Sequence, residues 1–228
     1  MIELLLQRTE TCRVRIGIVT LGEKVPDEVK ITAGMEILCR GKATDQIDAS
    51  NDAAIVFGFA SSYYYRGSDD IYLFNHMDDS TGMKNSTDFL KVLKNVGDKE
   101  KTYRQKRRHI VSYTDHLAKA IGTPFAAILP LKLSSMNQFI RINLGAMVKN
   151  RNAKLVISCE NGLPDEIRCG DVICHKTNEQ FTEKLPGNIK DPVVYSIPDE
   201  ALKEGDNVFS FVGADKTLLC CEVDFEEA

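Results

Sequence analysis

The segment from Phe57 to His76 predicts a helix, a tight turn and a buried strand that ends in polar residues. Apolar side chains recur at helical spacing up to Tyr65, and Gly67 stands where a left-handed residue commonly ends a helix. The run Ile71–Phe74 lacks polar alternation, which is typical of a strand covered on both faces, as in parallel sheets flanked by helices. The segment therefore predicts an αβ unit, and such sheets bind ligands beyond the carboxyl ends of their strands.

Four segments, taken in order, resemble the closing αβ turn of the (β/α)8 barrel in a group of bacterial glycoside-hydrolase-like proteins. These segments are the strand Ala33–Leu38, the turn Arg66–Asp69 with its strand Ile71–Asn75, and the downstream stretches Leu93–Asp98 and Arg107–Val111. In that group the downstream stretches lead to a terminal β-sandwich. The resemblance implies a partial barrel segment with a connector over residues 1–113 and a galactose-binding-like domain over residues 114–228.

The second half of the chain shows a different pattern from Ala126 onward. Seven short apolar runs are separated by turn residues, at intervals typical of an antiparallel sandwich. Within Val194–Val208, Pro198 starts a helical turn and Gly205 permits a positive φ at a bend, which is similar to galactose-binding-like jelly rolls attached to many glycoside hydrolases. The expected fold class is α/β plus all-β: a partial (β/α) barrel segment followed by an antiparallel β-sandwich of the jelly-roll type.

Polar residues at two strand ends are the candidates for carbohydrate contact. Glu36 is the candidate catalytic residue, because barrel enzymes place catalytic groups at strand ends and glycoside hydrolysis uses two carboxyl groups. The alternative is a structural role inside a barrel layer or paired with Arg40. Asn75, His76 and Asp78 are candidate substrate-binding residues, and the alternative is a strand cap followed by a solvated turn.

The length of the chain limits what it can do alone. A closed barrel needs about 250 residues and eight strands, whereas 125 residues precede Ala126. We therefore expect part of a glycoside-hydrolase-like protein that acts on or binds carbohydrate and is not catalytic as this isolated chain. The alternative is a non-catalytic carbohydrate-binding or structural protein. A partial barrel leaves an edge strand uncovered, so self-association or a missing N-terminal barrel portion is expected.

Charge and hydropathy argue against two classes of partner. A net charge of −4 disfavours general nucleic-acid binding, which depends on clustered cations. The basic run Lys99–His109 is interpreted as a solvated interdomain connector rather than a nucleic-acid site. No apolar run approaches the roughly 20 residues that span a bilayer, and the amphipathic segment after Met1 does not resemble a signal sequence, so the chain as given is expected to be cytoplasmic or a fragment.

The cysteines indicate neither a disulfide framework nor a metal site. Seven cysteines are spread over apolar segments, which favours reduced buried thiols. Cys169 and Cys174, followed by His175, lack the two close ligand pairs of structural zinc and fit a β-hairpin with a Gly-Asp bend. Adjacent Cys220 and Cys221 point to opposite faces of a strand. We expect no metal and no cofactor.

Overall fold

The structure is a computed structural model that describes residues 29–36, 52–74, 83, 86–111, 129–146, 151–185 and 189–227. The α-helices of this described part all lie in its first half, and strands dominate the second half. In chain order the elements are β1 (Thr32–Glu36), α1 (Ala53–Tyr65), β2 (Asp70–Phe74), α2 (Ser86–Asn95), α3 (Lys99–Arg104), β3 (Arg107–Ile110), β4 (Leu131–Lys132), β5 (Gln138–Asn143), β6 (Ala153–Glu160), β7 (Glu166–Cys169), β8 (Val172–Ile173), β9 (His175–Lys176), β10 (Val193–Ser196), a 3₁₀ turn (Asp199–Ala201), β11 (Asp206–Val212) and β12 (Thr217–Phe225).

Strands β1 and β2 form a parallel pair joined through α1, which confirms the predicted αβ unit. The Asp52 carboxylate caps α1 by accepting the backbone N–H of Ile55 at 2.8 Å. Gly67, with a φ of 98°, follows the last turn of the helix as predicted. Because a crossover between parallel strands runs antiparallel to both of them, the N-terminus of α1 lies at the carboxyl ends of β1 and β2.

Two antiparallel sheets form the second half of the structure. One has the order β3-β12-β6-β10-β9, with β4 also pairing with β12, and the other has the order β5-β11-β7-β8. Side chains from both sheets share one core, which includes Leu155, Phe209, Phe211, Val223 and Phe225. Each of the seven predicted apolar runs contains a described strand, so the expectation of antiparallel sheets after an αβ unit is confirmed. We call these sheets together the two-sheet unit.

Helix α1 is buried between the parallel pair and the two-sheet unit. On one side Phe57 and Tyr64 share a core with Met35 of β1 and Val92 of α2. The Tyr64 hydroxyl donates to the carbonyl of Val96 at 2.8 Å, and burial raises its pKa to about 12. The helix is apolar on most of its circumference, as expected for an element covered on more than one side.

The other side of α1 approaches the two-sheet unit at backbone distance. A Cβ placed on Gly58 would lie 2.1 Å from the carbonyl oxygen of Arg108 in β3. A Cβ on Gly145 would lie 2.8 Å from the carbonyl oxygen of Ser61 in α1. Only glycine allows such an approach, because any larger side chain would overlap the facing backbone. These two glycines therefore set the distance between α1 and the two-sheet unit.

The basic run Lys99–His109 is not a solvated connector, so that prediction was wrong. It forms α3 and then β3, and Arg107, Arg108 and His109 are each at most 1% exposed. Strand β3 pairs antiparallel with β12. The acidic partner of Arg108 on that strand, Glu222, lies 114 residues away in sequence. Strand β3 also precedes the expected division between residues 113 and 114, and that division stays a prediction.

We predict that Gly58→Ala lowers the free energy of unfolding by about 1–3 kcal/mol, the usual cost of overpacking. The added methyl group clashes with the Arg108 carbonyl, and this outweighs the gain in helix propensity of up to about 1 kcal/mol. Gly97→Ala is the matched control, because a Cβ there meets no atom within 4 Å. Urea unfolding measures both variants, and equal stability of the two would show that α1 has room at β3.

Candidate functional site

A cleft of about 220 Å³ opens at the N-termini of α1 and α2. Both helices follow a strand of the parallel pair, so the cleft lies at the end of the αβ unit to which the carboxyl ends of β1 and β2 point. Its apolar wall is formed by Ala53, Ala54 and Phe57. Its charged wall comes from four different parts of the chain and contains Asp52, Asp88, Lys91, Lys106 and Glu183.

Next to the cleft, the buried guanidinium of Arg108 faces three carboxyl groups. Its Nη2 lies 2.9 and 3.0 Å from the two carboxylate oxygens of Glu222, and its Nη1 donates to Asp52 Oδ2 at 2.6 Å. Asp224 Oδ2 lies 3.9 Å from Nε. The antiparallel register explains this arrangement, because Asp224 is directly opposite Arg108 and Glu222 is two residues away on the same face of β12.

The same guanidinium holds a loop segment beside α1. Its Nη2 donates to the carbonyl of Lys184 at 3.2 Å, and its central carbon lies 5.5 Å from the ring centre of Phe181. In the same segment Glu183 accepts a hydrogen bond from Lys106 at 2.6 Å. Arg108 therefore connects the cap of α1, strand β12 and this loop, which are the elements that build one wall of the cleft.

Both acids of β12 hold their protons to a higher pH than an exposed carboxyl group does. Burial raises the pKa of Glu222 to about 7, although Arg108 opposes the shift. Burial also raises the pKa of Asp224 well above its usual range, and the charge of Glu222 adds to this effect. Asp224 Oδ1 is buried without a hydrogen-bond partner. One guanidinium thus faces more carboxyl groups than it can neutralise, and a bound proton relieves the excess charge.

A second buried cluster lies on the opposite face of β3, where Arg107 points away from the cleft. Its Nη1 donates to the carbonyls of Leu144 and Ala146, both at 3.2 Å. Its guanidinium carbon lies 5.0 Å from the ring centre of Phe225, a cation–π distance. Burial, followed by repulsion from Arg151, lowers the pKa of Arg107 to about 9. The group keeps its charge at neutral pH.

His109 lies in this second cluster and connects α1 to β5. Its Nδ1 is 3.2 Å from the hydroxyl oxygen of Ser62, which in turn donates to the carbonyl of Asn143 at 2.6 Å. The Ser62 hydroxyl oxygen also lies 3.0 Å from the carbonyl oxygen of Gly58 within α1. Burial, Arg107 and Arg151 lower the pKa of His109 well below its usual value. The neutral ring is a structural link and not an acid–base group.

The predicted site residues lie at or beyond the edge of the described structure. Glu36 is the last described residue of β1 and stands opposite Phe74 in the parallel register. The position of its side chain is outside the description. Asn75, His76 and Asp78 also lie outside the described residues. Their contact with sugar stays a prediction.

Sequence reasoning missed the buried acids of β12. Glu222 and Asp224 alternate with Val223 and Phe225 in an otherwise apolar strand. Two acids at this spacing share one face of the strand, and acids are almost never fully buried unless they are paired. That pattern was available in the sequence and pointed to a buried cation as partner, which Arg108 supplies.

The described cysteines do not supply reactive thiols. Burial raises the pKa of Cys159 and Cys174 to about 12 and that of Cys169 to about 11. Cys220 and Cys221 belong to different cores, as the alternation of a strand predicts. Gly170 bends the predicted hairpin between β7 and β8, with a φ of 58°.

Two general findings concern the described part of the chain. Within it, no group of three or more His, Cys, Asp or Glu side chains is arranged to hold a metal ion. None of the described helices has the length and apolar character needed to cross a membrane. Neither a protein-family model nor a curated protein matches this chain. The topology and the chemistry of the cleft are therefore the basis for a functional proposal.

We predict that Arg108→Met lowers the free energy of unfolding by about 3–5 kcal/mol, because it leaves the Glu222 carboxylate buried without its counter-charge. Adding Glu222→Gln to this variant should restore part of the loss. Arg168→Met is the control, because Arg168 pairs with Glu166 at the surface and such pairs contribute little. If Arg108→Met were as stable as the control in urea unfolding, the buried network would not connect the two halves.

Proposed function

We propose that this chain is the carboxyl-terminal portion of a glycoside-hydrolase-like protein and binds carbohydrate at the carboxyl ends of β1 and β2. In this proposal the αβ unit is a segment of a (β/α)8 barrel, and the two-sheet unit is its galactose-binding-like jelly roll. The observation that carries the proposal is the parallel pairing of β1 and β2 through α1, with Glu36 at the end of β1. In barrel enzymes this end of the sheet carries the substrate site.

The cleft beside this end has the chemistry that a sugar ring requires. Carboxylates and ammonium groups on its charged wall accept and donate hydrogen bonds with hydroxyls, while the apolar wall suits the C–H face of a ring. Asp52 is positioned for such a role, because Arg108 and the N–H of Ile55 fix its carboxylate while the side chain remains 34% exposed. Lys106 and Glu183 hold each other at the opposite rim.

Binding without turnover fits the distribution of acids. Glycoside hydrolysis needs two carboxyl groups about 5–5.5 Å apart for retention, or about 6.5–9.5 Å apart for inversion. Glu222 and Asp224 are 0% and 6% exposed, so they are shielded from a substrate in the cleft. Glu36 remains the one strand-end acid proposed here to face a sugar. In this proposal Glu36 is assigned no second carboxyl group as a catalytic partner.

A structural role for the two-sheet unit is the second candidate function. It is favoured by the backbone-close packing of Gly58 on β3 and by the Arg108 network, since both immobilise α1 from the side opposite the parallel pair. In this view the two-sheet unit stabilises the barrel segment and does not itself bind the sugar.

We predict that amide resonances of the α1 N-terminus shift when a mono- or oligosaccharide from a broad panel is titrated in. Because the proposed contacts are Glu36 and the cleft, Glu36→Gln and Lys106→Met should each weaken binding at least tenfold. The matched controls are Glu160→Gln, an exposed acid at the end of β6, and Lys132→Met on β4, both of which should bind as the unmodified chain does.

The same samples test the absence of turnover. No aryl glycoside or oligosaccharide is expected to be hydrolysed, and turnover that disappears in Glu36→Gln would show that the chain holds a complete catalytic site. A panel in which no carbohydrate shifts any resonance would contradict the proposed binding. Binding that survives both Glu36→Gln and Lys106→Met would place the sugar elsewhere and contradict the proposed site.

A further inference from the structure

The carboxyl groups around Arg108 differ in how easily they reach water. Glu222 and Asp224 are buried, whereas the Asp52 side chain lines the cleft and is 34% exposed. All three approach the same guanidinium. If the negative charge of this cluster increases, repulsion acts on all three groups, but only Asp52 has solvent available to replace its contact with Arg108.

Asp52 also caps α1, so its position affects both the helix and the cleft. One of its oxygens accepts from Arg108, and the other caps α1 through the N–H of Ile55. A displaced Asp52 would leave the first turn of α1 without this cap and would widen the cleft that Asp52 helps to line. The contact is therefore a mechanical link between the charge state of β12 and the shape of the cleft.

We propose that Arg108, Glu222, Asp224 and Asp52 form a proton-controlled clamp that closes the N-terminus of α1 onto β3 when the acids of β12 are protonated and releases Asp52 when they ionise. The clamp is independent of whether the cleft binds carbohydrate. It regulates access to the cleft through pH, whatever ligand the cleft takes.

All charged groups around the acid pair act in this balance. Arg108 of β3 stabilises the ionised form of both acids, and Lys106 does so for Asp224. The ionised form is opposed by burial and by the remaining carboxylates, namely Asp52 at the cap of α1 for both acids and Glu183 of the adjoining loop for Glu222. Burial is the largest contribution for each acid and keeps the proton bound into the neutral range.

The direction of the pH effect follows from these shifts. An unfolded Glu loses its proton near pH 4, whereas Glu222 in the folded chain retains its proton up to about pH 7. Between these values the folded state binds more protons than the unfolded state, so the pair stabilises the closed form less as pH rises. The clamp is closed at pH 5 and loosened at pH 8.

Amide hydrogen exchange at Ile55 tests the clamp, because this N–H is the one that Asp52 accepts. After correction for the intrinsic exchange rate, its protection should fall at least tenfold from pH 5 to pH 8. Glu222→Gln, which removes the group that titrates in this range, should abolish this fall, and Glu160→Gln, a change at an exposed acid of β6, should leave it intact. Protection of the β6 interior should be the same at both pH values.

Three results would overturn the clamp: equal Ile55 protection at pH 5 and pH 8, an unchanged pH dependence in Glu222→Gln, or a parallel loss of protection in β6, which would indicate global unfolding. Should Glu222→Gln fail to fold, carbon-13 NMR titration of the Glu222 carboxyl group in the unmodified chain replaces it. A carboxyl titration whose midpoint coincides with the loss of Ile55 protection supports the clamp. A Glu222 resonance that does not shift between pH 5 and pH 8, or that shifts without any change at Ile55, overturns it.

Discussion

The contact between the backbones of α1 and β3 is the constraint on which the rest of the structure depends. With no side chain at Gly58, the helix lies directly against the carbonyl of Arg108. At this distance Ser62 reaches both His109 and the carbonyl of Asn143, and Asp52 reaches the guanidinium of Arg108. A helix held even slightly farther away would break these hydrogen bonds, because their strength falls steeply with distance and angle.

The same contact explains why strand β3 can carry two arginines and a histidine into the interior. Alternation sends Arg108 to the acids of β12 and Arg107 to main-chain carbonyls and an aromatic ring. His109 avoids a third buried charge by remaining neutral. The two arginines are thus held by different groups, and Arg107 keeps two guanidinium nitrogens without a hydrogen-bond partner among the described residues. Removing one partner from such a network costs more than the pair itself contributes.

The predictability of this fold from sequence depends on how far apart the interacting residues are. Gly67 and the cap at Asp52 act on their own helix, so local pattern located α1 and the strand that follows. The strands of the two-sheet unit were found for the same reason, since alternation and turn residues are local signals. The burial of Arg108 depends on Glu222, 114 residues away, so the run around Arg108 was assigned to solvent.

Of the candidate site, the sequence located the strand end at Glu36 but not the cleft. The cleft is assembled from a helix cap, the first turn of another helix, the residue before β3 and a loop of the two-sheet unit, and no single segment shows a motif. A regular sequence pattern predicts a single helix or strand. A site built from four elements forms only when those elements pack together. The acids of β12 could be recognised from the sequence as unusual residues in an apolar strand, but the sequence did not identify Arg108 as their partner.

We expect α1 and the two-sheet unit to unfold together as one cooperative unit. Equilibrium urea unfolding followed by NMR, with resonances of α1 and of β12 monitored in the same sample, measures this directly. A single shared midpoint and slope for both sets of resonances is the predicted result, because the buried network cannot survive the loss of either side. Loss of the α1 resonances at a clearly lower urea concentration than those of β12 would contradict the claim.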